Sequence, residues 1–222
     1  MKLLFESWRQ YLNEGMKTPN DISAAEEAWF KENPDMLREI SVQIFPSGGD
    51  IYFVYAHNGE AQWSPTGTYG DLPSGYVAIV HAGDRNFGPC LDGWLVKASD
   101  VVDSWGPLLY DVAMEWATKK GGGLMADRRS VSKDAYAVWD YYDKNRSDIE
   151  SAQLDVPKDF YGLKQLTPDN PDDDCNQHST VYWTDYKKGE WHELPLSRIF
   201  RSKGTPTIDK LQALGKLEDK HE

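Results

Sequence analysis

Cysteine is almost missing from this 222-residue chain: Cys90 and Cys175 are the two present, far apart and without a CxxC spacing. That excludes a disulfide framework. The two read as reduced, buried small hydrophobes in a reducing cytoplasm, with one tertiary pairing as the alternative. Positive charge is also short. Lys and Arg number 24 against 36 Asp and Glu, for a formal net charge of −12. Non-specific nucleic-acid binding needs a basic surface that releases counterions, so that class is set aside. Long apolar runs are missing too, since nothing approaches the ~18–20 residues of a membrane helix. The first ten residues, MKLLFESWRQ, are broken by Glu6 and Arg9 after Leu3, Leu4 and Phe5, which is not a secretory signal. No internal repeat and no long low-complexity linker is present. What the chain does have is a 40% hydrophobic fraction and nine tryptophans. That is enough for a packed core in one domain, residues 15–222 with a C-terminal extension, preceded by a short segment over 1–14.

The pattern changes period along the chain. Leu4, Phe5, Trp8, Tyr11 and Leu12 fall on one side of an amphipathic helix over 2–14, ended by Gly15. Thr18-Pro19-Asn20 reads as a turn, and Asp21 or Ser23 as the cap of a helix that stops at Asn33-Pro34. Ile40 to Ile44 then alternates, and Ser47-Gly48-Gly49-Asp50 turns it into Ile51 to Tyr55 as a hairpin. Gly75 to Val80 and Trp94 to Ala98 read as third and fourth strands. A helix beginning near Gly106 carries a buried stripe of Leu108, Leu109, Val112, Ala113, Trp116 and Ala117 and ends at Gly121-Gly122-Gly123. Leu124 to Ala126 is a fifth strand. Ser132 caps a further helix that buries Ala135, Val138, Trp139 and Tyr142. Thr180 to Trp183 is a last strand, Leu194 to Arg201 is short and mixed, and Ile208 to Leu217 is a final helix. The sum is an α/β (α+β) fold with a mixed, largely antiparallel central sheet flanked by helices.

The order strand, loop, helix, strand, helix over Leu95 to Tyr142 resembles the core of the GNAT (Gcn5-related) N-acetyltransferases. In that family a loop of the form Arg/Gln-x-x-Gly-x-Gly/Ala holds the pyrophosphate of acetyl-CoA on N–H groups at a helix N-terminus. The matching hexad here is Val101-Val102-Asp103-Ser104-Trp105-Gly106. Gly106 keeps the family residue, while Val101 and Ser104 stand where Arg or Gln and the first Gly belong. The resemblance implies acetyl-CoA as cofactor, held around Ser104, Trp105, Gly106 and Leu108. Ser132 to Trp139 has the spacing of the family's Asn-x-x-Ala-x-x-x-Tyr, with Trp139 in the position of the acid, so Tyr141 or Tyr142 is the expected proton donor. His81 or Asp92 is the expected base for the amine. MKLLFESWRQYLNE is similar to the capsid-targeting leaders of large tailed phages. Such leaders are cut after Leu- or Ile-x-Glu, which Leu12-Asn13-Glu14 matches ahead of Gly15. The block WGPLLYDVAME, with ADRRSVSKDA and DDDCNQ, is similar to phage-encoded proteins.

Other groups have plainer readings. Asp127-Arg128-Arg129 is either an anion site or a surface salt-bridge cluster. Asp84 is a loop residue. Asp172, Asp173, Asp174 and His178 carry the oxygens that a hard cation needs, but not at EF-hand spacing, and turn chemistry accounts for them. No metal is expected. Two functions follow. One is an N-acyltransferase that moves an acetyl group from acetyl-CoA to a small-molecule or protein amine. The other is a non-enzymatic virion protein that keeps a degenerate acetyltransferase fold. Candidate partners are phage capsid or prohead proteins, with neither nucleic acid nor membrane. The compartment is the host cytoplasm, or the virion interior.

Overall fold

A computed structural model describes residues 16–65, 72–102, 104–127, 131–160, 162–176 and 191–220. In chain order the elements are α1 (Pro19–Glu32), β1 (Ile40–Ser47), β2 (Asp50–His57), β3 (Glu60–Ala61), β4 (Gly75–His81), β5 (Trp94–Val101), α2 (Gly106–Lys120), β6 (Leu124–Ala126), α3 (Lys133–Asn145), β7 (Ile149–Gln153), β8 (Arg198–Ser202), α4 (Pro206–Ala213) and β9 (Leu217–Asp219). The strands form one open, mixed sheet in the order β7-β8-β6-β5-β4-β2-β1-β9, with β3 paired to β2. β5 runs parallel to β6 and β1 parallel to β9, whereas β1–β2, β2–β3, β6–β8 and β7–β8 are antiparallel. The fold is therefore α+β, as the sequence predicts. No helix among the described residues is long and apolar enough to cross a membrane.

The chain forms two compact units. The first takes the described parts of 1–77, 99–112 and 206–222; the second takes those of 78–98 and 113–205. In the first unit the β1–β2 hairpin has the register Ser47↔Asp50. Its two-residue turn is Gly48 and Gly49, at φ of 61° and 85°. Positive φ at both positions defines the turn whose twist matches the strands, and glycine adopts it without steric cost. Ile40, Val42 and Ile44 are buried in the core with Phe53, Tyr55, Leu108 and Leu109. Each such side chain contributes about 1.5–3 kcal/mol by leaving water. On β1, β2 and β4 the partly exposed Phe45, Tyr52 and Tyr76 gather round Trp63, at centroid distances of 5.4–5.7 Å from it.

Two details of this unit differ from the sequence reading. α1 starts at Pro19 with Thr18 as its N-cap. Asp21 is the N3 residue, not the cap, and its carboxylate accepts from Thr18 N and Thr18 Oγ1, each at 2.7 Å. Burial works against its charge, but those bonds and Lys17 outweigh it and hold the carboxyl below its ordinary value. The final helix is shorter than the apolar spacing predicts. It ends at Ala213, Gly215 takes φ +67°, and Leu217 belongs to a strand. Ser41 Oγ and Gln43 Nε2 donate to the two oxygens of Glu218, at 3.0 and 3.1 Å, which fixes β9 on β1.

In the second unit a core of Val80, Leu95, Met125, Leu154 and Ile199 adjoins a trio of Trp139, Tyr142 and Phe200. The helix α2 has residues in both units, and its buried stripe is the predicted one, with Tyr110, Met114 and Glu115 buried as well. Ser132 Oγ caps α3 by accepting from Ala135 N at 3.1 Å. The expectation of two reduced cysteines is overturned: Cys90 and Cys175 form a disulfide across 85 positions, with Cα atoms 4.6 Å apart. Their distance in sequence concealed the pairing, because it is the fold that brings the 87–93 loop to the 171–176 segment. β7 and β8 pair over Ile149↔Ser202 to Gln153↔Arg198, so the mixed stretch before Arg201 is a strand. The expected strand over 180–183 and the helix over 2–14 lie outside the described residues.

Candidate functional site

Two places carry the expected site residues, and each belongs to its own unit. In the first unit β5 ends at Val101 and α2 begins at Gly106. Between them Ser104 takes a left-handed φ of +69°, the conformation a glycine would adopt most cheaply. Ser104 is half-buried, and Leu108 is buried on the helix's first turn. Trp105 is 3% exposed and stands edge-on to Tyr55 at 5.8 Å. Its N–H donates to Val102 O at 3.2 Å, and its carbonyl accepts the Tyr55 hydroxyl at 2.9 Å. Lys17 Nζ lies 5.5 Å from the ring centroid.

An anion-binding helix start needs N–H groups left over for the ligand. Here the Trp105 amide is spent on the protein itself, and the indole is core. Gly106 is not forced by space either, because a Cβ there would meet nothing nearer than Val101 Cβ at 4.0 Å. At Trp105 this loop is a packed helix entry, with the amide and the carbonyl both bonded within the protein. Asp103 lies outside the described residues.

In the second unit the structure joins two residues that the sequence could name only singly. His81 closes β4, and its Nε2 lies 2.9 Å from Asp92 Oδ1. A carboxylate only accepts, so Nε2 carries the hydrogen and Nδ1 of the neutral ring keeps the lone pair. His81 packs against Trp94 at 5.1 Å, Trp94 against Trp116 at 4.9 Å, and Lys120 Nζ stands 5.5 Å over Trp116.

Asp92 reaches His81 from an unusual backbone. Cys90, Leu91 and Asp92 take φ of 46°, 53° and 62°, a left-handed turn without a glycine, at a cost of about 1–2 kcal/mol per residue. Several bonds fix it. Cys90 is tied to Cys175, Cys90 N donates to Asp174 O at 3.0 Å, and Gly93 N donates to Cys90 O at 3.0 Å. Arg201 donates to Gly122 O and, at 3.5 Å, to Leu91 O. The turn also explains Gly122. At φ +78°, a Cβ on it would lie 1.9 Å from Asp92 O, so the glycine after α2 admits the Asp92 backbone as well as ending the helix. Strain of this kind persists only where the surroundings hold it, and it gathers at functional sites.

The two tyrosines differ. Tyr141 is half-buried on α3. Tyr142 is buried against Trp139 and Phe200, with the Arg146 guanidinium 5.6 Å from its ring. Trp139 itself is core and stacks on Phe200 at 5.4 Å. Asp84 is exposed. Arg128, Arg129 and His178 lie outside the described residues. Of the acidic run, Asp172 is exposed and Asp173 is buried beside Asp155, a residue whose place in a loop before Val156-Pro157 gives no sequence signal. No family model, curated protein or solved structure matches this chain.

Proposed function

We propose that the chain is a non-enzymatic protein of the virion interior, built on an acetyltransferase-like scaffold whose cofactor loop has become core. The observation that carries this reading is Trp105. Its ring is buried on Tyr55, and its amide and carbonyl are both engaged by the protein. The resemblance of residues 1–14 to capsid-targeting leaders supports the location, and phage capsid or prohead proteins are the partners it implies. Calorimetry of the folded protein with CoA and acetyl-CoA is expected to give no saturable heat up to millimolar ligand; a micromolar isotherm overturns the proposal. Mass spectrometry of mature particles is expected to find Gly15 as the first residue, and an intact Met1 there refutes the processing.

One observation favours a second reading, an N-acyltransferase. The His81–Asp92 pair, with Nδ1 free to take a proton, is the arrangement of an oriented general base. Acetyl-CoA would supply the activated acyl group, and His81 would remove the proton from an attacking amine. A screen of amine acceptors that follows CoA thiol release tests it. Turnover that falls about 10²–10⁴-fold in His81→Asn establishes the transferase, and the absence of turnover leaves the scaffold reading standing.

A further inference from the structure

We propose that Asp155, Asp173 and Asp174 form a calcium site that clips the 155–176 segment to the strand end after β7. Asp155 and Asp174 sit opposite each other in an isolated parallel bridge. Asp155 N donates to Asp173 O at 2.8 Å, and Cys175 N donates to Asp155 O at 3.0 Å. One carboxylate oxygen from each of the three residues lies within 4.8 Å of the others. Asp155 is 1% exposed and Asp173 7%.

Proximity of acids alone would not make a site; a buried oxygen left without a hydrogen-bond donor is the second observation. Asp155 Oδ2 accepts from Leu166 N at 2.7 Å and Thr167 N at 2.6 Å, and its Oδ1 accepts from Val156 N at 2.7 Å. These N–H groups fix the Asp155 carboxylate in place. Thr167 Oγ1 lies 3.0 Å from Asp155 Oδ2 and 2.9 Å from Asp173 Oδ2. A hydroxyl has one hydrogen to donate and cannot serve both.

Asp173 Oδ1, in addition, is buried with no hydrogen-bond partner. Among the described residues none of the three carboxylates is paired with a Lys, Arg or His, and Asp174 is met only by Gln165 Nε2 at 2.9 Å. A buried carboxylate oxygen without a partner, on a residue clustered with two further acids, has the electrostatics of a cation ligand. Oxygen-only donors select a hard cation. Ca²⁺ takes roughly 6–8 oxygens in flexible geometry, whereas Mg²⁺ demands a near-ideal octahedron and gives up its waters reluctantly. Carboxylates held in place by the backbone suit the larger ion, and half-buried Asp174 leaves a way in.

The probe is CaCl₂ titrated into the full chain after EDTA treatment, followed by calorimetry and thermal melting. One saturable isotherm is expected, with Kd on the order of 10⁻⁵–10⁻³ M, Mg²⁺ at least ~10-fold weaker, and a Tm that rises with calcium as binding to the native state requires. Asp173→Asn, which removes the unpartnered charge and keeps the shape, is expected to fold without calcium and to lose the isotherm. A flat isotherm for the folded wild type up to about 10 mM calcium overturns the proposal. Wild-type affinity in Asp173→Asn overturns it as well. If that variant does not fold, Asp174→Asn decides: a Kd raised about tenfold supports the site, and an unchanged Kd refutes it.

Discussion

Replacing Trp105 with alanine separates a core residue from a ligand-stacking one. The side chain is 3% exposed and meets Tyr55 edge-on at 5.8 Å. Trp-to-Ala substitutions in a packed core cost about 3–5 kcal/mol, of which the aromatic pair accounts for about 0.5–1.5 kcal/mol. The Tyr55 hydroxyl bonds the Trp105 main-chain carbonyl, so that bond survives the change and does not enlarge the loss. At about 2–4 °C per kcal/mol for a chain of this size, the melting temperature should fall by roughly 6–20 °C. Urea unfolding followed by far-UV circular dichroism measures it, with an unchanged slope showing that the unfolded state is the same. Trp105→Phe should recover part of the loss. A destabilisation under about 1 kcal/mol, the range of an ordinary surface substitution, would refute the assignment of Trp105 to the core and reopen the loop as a ligand site.

Three further outcomes are expected. Reducing the Cys90–Cys175 bridge opens a constraint on an 85-position loop, worth about 4.5 kcal/mol by chain entropy; dithiothreitol should lower the melting temperature, and an unchanged melt together with unlinked peptides in non-reducing mapping rejects the bridge. Gly122→Ala, which drives a Cβ to 1.9 Å from Asp92 O, should be far more damaging than Gly48→Ala, where nothing lies within 4 Å; equal losses of about 1 kcal/mol, the backbone cost alone, would show that the Asp92 turn does not press on this glycine. Acid should weaken the fold through His57, whose Nδ1 accepts from Arg38 at 3.1 Å while its Nε2–H donates to Pro73 O at 2.8 Å. Burial first and Arg38 second depress its pKa below 6.5, despite the bond to Pro73. The unfolded chain thus takes up the proton earlier, so stability is complete above about pH 6.5 and falls as pH drops from there toward the folded value; His57→Gln should flatten that slope, and an identical slope would assign it to other groups.

How much of this was legible in the sequence depended on whether the signal was local. Gly48-Gly49 names its own turn, Gly106 and Gly121 bound α2, and Leu124 to Ala126 stands out as an apolar run. β7 does not: Ile149–Gln153 reads IESAQ, with no alternation, and it is a strand because β8 supplies its partners. β9, of sequence LED, is set by Glu218 bonding to Ser41 and Gln43. His81 and Asp92 could be named but not joined, since the turn that joins them is left-handed at Cys90, Leu91 and Asp92, residues that ordinarily avoid that conformation. Asp155 was silent because its neighbours, Thr167, Asp173 and Asp174, come from later loops.

The parallel pairing of Val42 with Leu217 has a consequence in time. β1 is made early, but the strand that covers its outer edge follows about 175 positions later. At a synthesis rate of about 5–20 residues per second, that edge stays open for roughly 10–35 seconds on the ribosome. An uncovered strand edge is a template for the wrong partner. Lys216 ion-paired to Glu26, and Glu218 bonded to Ser41 and Gln43, act as a latch that closes last. Variants that weaken it, such as Glu218→Ala, should therefore reduce yield during expression more than they lower the stability of the finished protein.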